Sequence, residues 1–195
     1  MNSQLLILAA LLLPVVGVLF ISLTKKNINL RETSTLIVSV ALIYVVYSHL
    51  PDVLNGVYPE LYLFNVTSGL SIHFQIEPLG MLFACVASFL WFINSIYSIG
   101  YMRTNEYKNQ TRFYIYFALA IASTIGIAFS ANLFTLFIFY EFLTLTTYPL
   151  VTHKETDEAK RAGRIYLGIL LATSICLFLP AIIWTYQLTG IIHFT

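Results

Sequence analysis

Charge is what this sequence has least of. Of its 195 residues only 10% are Asp, Glu, Lys or Arg, where soluble globular domains carry roughly 25%. Hydrophobic residues make up 58% and the mean hydropathy is +0.82. That balance excludes a wetted globule around one core and places the chain in lipid. The net charge of +1 offers no field for nucleic acid. There are two cysteines, Cys85 and Cys176, both inside apolar runs, where they read as small core residues and not as a disulfide or metal pair. Also missing are a Gly-rich phosphate loop, a CxxC pair, a nucleophile elbow and an HExxH motif. No stand-alone active site, metal site or cofactor site is expected in this chain.

Present instead are apolar runs of about twenty residues, enough to cross a ~30 Å hydrocarbon layer at 1.5 Å per residue. The spans read from them are Leu5–Thr24, Thr33–Leu50, Leu79–Met102, Phe113–Ser130, Leu133–Val151 and Ile165–Tyr186. The first is read as a retained helix and not a cleaved signal peptide, because it is long and its positive charges follow it. All ten Lys and Arg fall in alternate connections. Lys25, Lys26 and Arg31 follow the first span, Arg103, Lys108 and Arg112 the third, and Lys154, Lys160, Arg161 and Arg164 the fifth. Basic loops stay on the cytoplasmic side, so both termini are expected outside.

The longest connection, 51–77, contains two alternating stretches, Leu61–Thr67 and Leu70–Ile76, around a Ser68-Gly69 turn. Leu70, Ile72, Phe74 and Ile76 would share one face of an outer hairpin, and Ser71, His73 and Gln75 the other. Asn65-Val66-Thr67 matches a glycosylation acceptor, which chance explains inside a compact hairpin. In the fourth span Ala118, Ala122, Gly126 and Ser130 recur every four residues and make a smooth packing stripe. The expected fold is therefore all-α and integral to a membrane. It is a single domain of about six transmembrane helices, with a small outer-side β-hairpin between the second and third.

Of the nineteen charged residues, only Glu141 sits deep in a span. Eight residues at 1.5 Å each put it about 12 Å below the start of the fifth helix. A carboxylate at that depth is costly unless paired, hydrated or neutralised, so intramembrane acids usually mark ion pathways or proton relays. Thr144, Thr147 and Tyr148 offer hydroxyls further along the helix. Pro149 lacks an N–H and so frees the Leu145 carbonyl to bind water. His153, at the inner end, could pass protons between Glu141 and the cytoplasm; an interfacial histidine that is merely solvated is the plainer alternative. His49, His73 and His193 sit toward the outer side without metal-ligand spacing. A neutral Glu141, hydrogen-bonded to a neighbouring helix without transport, also satisfies the pattern.

The stretch Gly100-Tyr-Met-Arg103, and Asn132-Leu-Phe-Thr-Leu-Phe-Ile-Phe-Tyr-Glu141-Phe-Leu-Thr-Leu-Thr-Thr-Tyr-Pro149 after it, resembles the antiporter-like membrane subunits of respiratory complex I. The same module occurs in membrane-bound hydrogenases and multisubunit cation/proton antiporters. The resemblance covers most of residues 77 to 185 and only the front half of the family's pattern. It implies a core of about fourteen helices with inverted repeats, in which the fifth-helix glutamate pairs with a lysine on a broken seventh helix. Glu141 takes the glutamate's place, and the lysine has no counterpart among these residues. An ionised Glu141 without a cation would cost on the order of 3–5 kcal/mol, so a separately encoded chain is expected to supply the broken helix and its Lys.

The function expected from this resemblance is proton, or proton and sodium, translocation within a multisubunit complex of an energy-transducing membrane, such as a bacterial or archaeal inner membrane. The complex could be a redox-driven oxidoreductase. The competing expectation is a structural or assembly subunit without its own ion pathway.

Overall fold

The computed structural model describes residues 3–67, 70–105 and 109–194. Its helices are α1 (Ser3–Leu23), α2 (Ile28–Tyr47), α3 (Leu50–Leu54), α4 (Pro78–Thr104), α5 (Gln110–Ala128), α6 (Leu133–Val151), α7 (Asp157–Thr173) and α8 (Leu179–Thr189). A π-helical turn, Ser174–Phe178, joins the last two into one 33-residue span. Six helical stretches are thus long and apolar enough to cross a membrane. With them stands one antiparallel pair, β1 (Glu60–Thr67) and β2 (Leu70–Gln75). The all-α membrane fold with a small hairpin read from the sequence is what the chain forms.

Helix starts differ most from expectation. α2 begins at Ile28 and not Thr33, because the Asn27 side chain accepts from Leu30 N and caps the helix. α7 begins at Asp157, eight residues before Ile165, because Thr156 accepts from Ala159 N and Asp157 and Glu158 occupy the first turn. Both starts carry charged residues, Arg31 and Glu32 in α2 and Asp157, Glu158 and Lys160 in α7, which interrupt the apolar run before it reaches the cap. α3 was expected to be loop; Pro51 in its first turn loses no helix donor. The π turn has a local cause in Pro180, which cannot donate to Cys176 O and so widens the preceding turn.

The core lies where α1, α2, α4 and α5 meet, around Ile7, Leu42, Trp91, Ala118 and Ile125. Gly17 lets α1 approach α2, since a Cβ there would sit 2.9 Å from Val38 Cγ1. The small-residue stripe of α5 is used twice. Ala118 and Ala122 are buried in the bundle, and Gly126 receives the Phe139 ring of α6.

The hairpin pairs Tyr62 with His73 and Asn65 with Ser71, with irregularities at Leu63 and Val66. Ile72, Phe74 and Ile76 are buried on one face, as the alternation predicts. The Ser68-Gly69 turn lies outside the described residues, as does Lys108. The far edge of β2 is not open. Gln75 N donates to Phe129 O at 2.8 Å and Ala131 N to His73 O at 3.0 Å. Beyond that, Leu133 N donates to Ile192 O at 3.0 Å and Phe194 N to Ala131 O at 3.1 Å. Residues 129–132 and 192–194 thus extend the hairpin by two short bridges, covering an edge that would otherwise be exposed. This hairpin end is opposite the basic end, where the start of α2, the end of α4 and the start of α5 bring Arg31, Arg103 and Arg112 together with the loop after α6.

Candidate functional site

The helix that carries Glu141 is fixed at its hairpin end by Asn132. Its Oδ1 accepts from Thr135 N at 2.7 Å, and its Nδ2 donates to Ser71 O at 3.0 Å. Thr135 Oγ1 also donates to Ser71 O and accepts from His73 N. Both side chains are fully buried. One residue therefore caps α6 and ties it to β2, which sets the depth at which Glu141 lies.

Glu141 is partly buried, and its Oε1 is enclosed without a hydrogen-bond partner. Among the described residues it joins no salt bridge, although Arg31, Arg103, Arg112 and His73 each pair with another carboxylate. Thr144 and Tyr148 follow it on the same helix face at i+3 and i+7, and Thr144 is buried. Thr147 points away from that face. Its hydroxyl donates to Thr144 O at 3.0 Å and lies 3.5 Å from the Tyr166 hydroxyl of α7. Tyr166 was not foreseen, because its apolar, amphipathic setting gives no sign of a contact across helices.

α6 ends in a knot of polar contacts. Arg112 of α5 pairs with Glu155 and reaches the carbonyls of Pro149 and Thr152 at 3.5 and 3.4 Å. It thereby reaches Pro149 O, among the acceptors a helix leaves unbonded at its C-terminus, and shares Thr152 O with Glu155 N. His153 packs edge to face on Phe113 at 5.6 Å between ring centroids. Burial, with the neighbouring Arg112 charge, holds its imidazole below the ordinary 6.5, against the pull of Glu155. Twelve residues separate His153 from Glu141, about 18 Å along the axis, so the two do not touch. Gly163 of α7 fits against this end, since a Cβ there would lie 2.2 Å from Thr152 Cγ2.

A second charged constellation was missed at the sequence level. Arg31 and Glu32, near the start of α2, are both buried. Arg103 pairs with Glu32 and donates to Asn29 Oδ1 at 2.6 Å. Arg31 donates to Gln110 Oε1 at 2.7 Å and Thr111 Oγ1 at 3.2 Å, and its guanidinium lies 5.2 Å from the Tyr114 ring centroid. The signal was there in the adjacent Arg31-Glu32 and in the Arg103 of the Gly100-Tyr-Met-Arg103 stretch. What hid their meeting is their separation in sequence. These residues clamp α2, α4 and α5 at the basic end.

Comparison with known proteins gives this arrangement its setting. A family model for the N-terminus of chain 5 of NADH-ubiquinone oxidoreductase (complex I) matches residues 64–114. A second, for the transmembrane part of NADH:quinone oxidoreductase and Mrp antiporters, matches residues 130–195. The chain is 28% identical to the antiporter subunit mnhD2 of Staphylococcus haemolyticus, with all of this chain and 38% of that protein aligned. It is 28% identical to the chloroplastic NAD(P)H-quinone oxidoreductase subunit 5 of Poa pratensis, over 69% of this chain and 20% of the relative. In fold it is similar to a chain of the membrane-bound sulfane sulfur reductase, an archaeal respiratory membrane complex, with TM-score 0.81, 19% identity and coverage of 96% and 38%. A chain of the Mrp complex from Dietzia sp. DQ12-45-1b gives 0.73, 22%, 95% and 35%. The chain thus spans well under half the length of these relatives. Residues 64–114 and 130–195 thus match, in chain order, the family pattern of the antiporter-like membrane subunits shared by complex I and the Mrp antiporters, with the Asn132-capped helix of Glu141 inside the second match.

Proposed function

We propose that this chain is the front part of a proton, or proton and sodium, translocating module in a multisubunit membrane complex, with Glu141 as the carboxylate that carries the proton. The observation that supports this most is the enclosed, unpartnered Oε1 of Glu141 midway along a membrane helix. A carboxylate so placed is held there against its desolvation cost, which a purely structural helix has no reason to bear. Thr144, Tyr148 and the Leu145 carbonyl freed by Pro149 are the polar groups that would lead water toward the basic end. His153 stands there as the group that exchanges protons with that surface. The basic end faces the cytoplasm in this reading, and both termini face outside.

We infer that the cation that balances Glu141 is a Lys or Arg outside the described residues, on a helix packed against α6. The packing of α6 supports a missing neighbour. Only 11% of its span is buried, as in the α7–α8 span, against 33% in α1, α4 and α5. If no chain in the isolated complex presents Lys or Arg near Glu141, this part of the reading fails. Glu141→Gln keeps shape and hydrogen bonding but cannot ionise. In the assembled complex it is expected to lower ion transport at least about ten-fold, the usual scale for loss of an acid-base group. Undiminished transport would favour the structural-subunit reading.

A further inference from the structure

Two histidines far apart in sequence meet at the hairpin end. The rings of His73 on β2 and His193 beyond α8 stand edge to face, with centroids 5.8 Å apart. Tyr62 lies 5.8 Å from His73, and Glu60 Oε2 is 3.4 Å from His73 Nε2. His73 Nδ1 is buried without a partner. Among the described residues, the charged and titratable groups around the pair come from β1, as Glu60 and Tyr62, while residues 129–132 and the start of α6 contribute the neutral Asn132 and Thr135. Glu77 lies further along, in the cleft that Phe194 also lines.

The backbone binds the same residues together. His73 O accepts from Ala131 N, Asn132 bridges His193, and Leu133 N and Phe194 N close the outer pairings. We propose that His73, His193 and Glu60 form a proton-responsive latch, which releases the 191–194 segment from the start of α6 when both imidazoles are protonated. One proton on His73 is balanced by Glu60. A second places like charges 5.8 Å apart across the contact that closes the segment. Burial holds His73 below the ordinary imidazole range and His193 adds to this, against Glu60, so the latch is shut near neutrality. Acidification opens it.

The latch rests on packing at the hairpin end and stands whether or not Glu141 carries protons. Its test is hydrogen–deuterium exchange of the intact complex in lipid nanodiscs, at about pH 7.5 and about pH 5.5, either side of histidine titration. After correction for intrinsic rates, peptides covering 131–135 and 190–194 are expected to exchange about ten-fold faster at the acid pH. His73→Gln and His193→Gln are each expected to remove that acceleration. Glu60→Gln changes an exposed side chain and should not disturb folding; by removing the balance for the first proton it is expected to move opening to higher pH. Equal protection of the unaltered complex at both pH values would overturn the latch, and so would unchanged acid sensitivity in both histidine variants.

Discussion

Glu32 is the residue whose loss the fold should feel most. It accepts from Arg103 and Arg31 while only 5% of its side chain is exposed. Glu32→Gln leaves the buried Arg31 with no carboxylate, and removing one partner of a buried pair costs on the order of 3 kcal/mol. Arg103→Ala should cost less, because that side chain is 48% exposed and exposed pairs contribute little. Thermal unfolding of the purified complex in mild detergent measures both. His153 predicts a pH dependence at the other side of this end. Its folded pKa is below 6.5, so the unfolded chain binds more protons there. Stability is therefore full above about pH 6.5 and falls as pH drops below it. His153→Gln should flatten that part of the profile.

Among the described glycines, Gly80 has the least room, where α4 meets the end of α5. A Cβ on Gly80 would sit 2.0 Å from Ala128 O, and backbone cannot step aside as a ring can. Gly80→Ala is thus expected to destabilise by at least about 1–3 kcal/mol. Gly126→Ala meets the Phe139 ring, which can rotate, and should cost less. Comparing the two by thermal unfolding tests whether backbone or side chain sets the limit. The spans themselves were legible because lipid demands long apolar runs, and α6 coincides with the run Leu133–Val151. Capped starts were less legible. Charged residues break the apolar run near the starts of α2 and α7, and it is the Asn27 and Thr156 caps that fix where those helices begin.

Across the whole molecule, the exposed side of α6 predicts an interface. Leu145, one turn past Glu141, is 51% exposed. A photo-crosslinker at Leu145 in the assembled complex is expected to capture a neighbouring membrane subunit, whereas one at Leu54, 77% exposed at the hairpin end, should capture lipid or nothing. Glu141 was legible as a site because a deep charge is conspicuous in an apolar sequence. Its setting was not. The clamp of Arg31, Glu32 and Arg103, the contact of Thr147 with Tyr166 and the meeting of His73 with His193 all join distant positions, and no periodicity announces them.

The two ends of the bundle are held by different kinds of bond. At the hairpin end, residues 129–132 and 192–194 are stitched to β2 by main-chain hydrogen bonds, which bind α6 and the end of α8 into one plate. At the basic end, the long side chains of Arg31, Arg103 and Arg112 supply ion pairs and hydrogen bonds between neighbouring elements. A bundle fastened in this way depends on different conditions at its two ends: the main-chain plate carries no charge to screen, whereas the arginine pairs weaken as ionic strength rises.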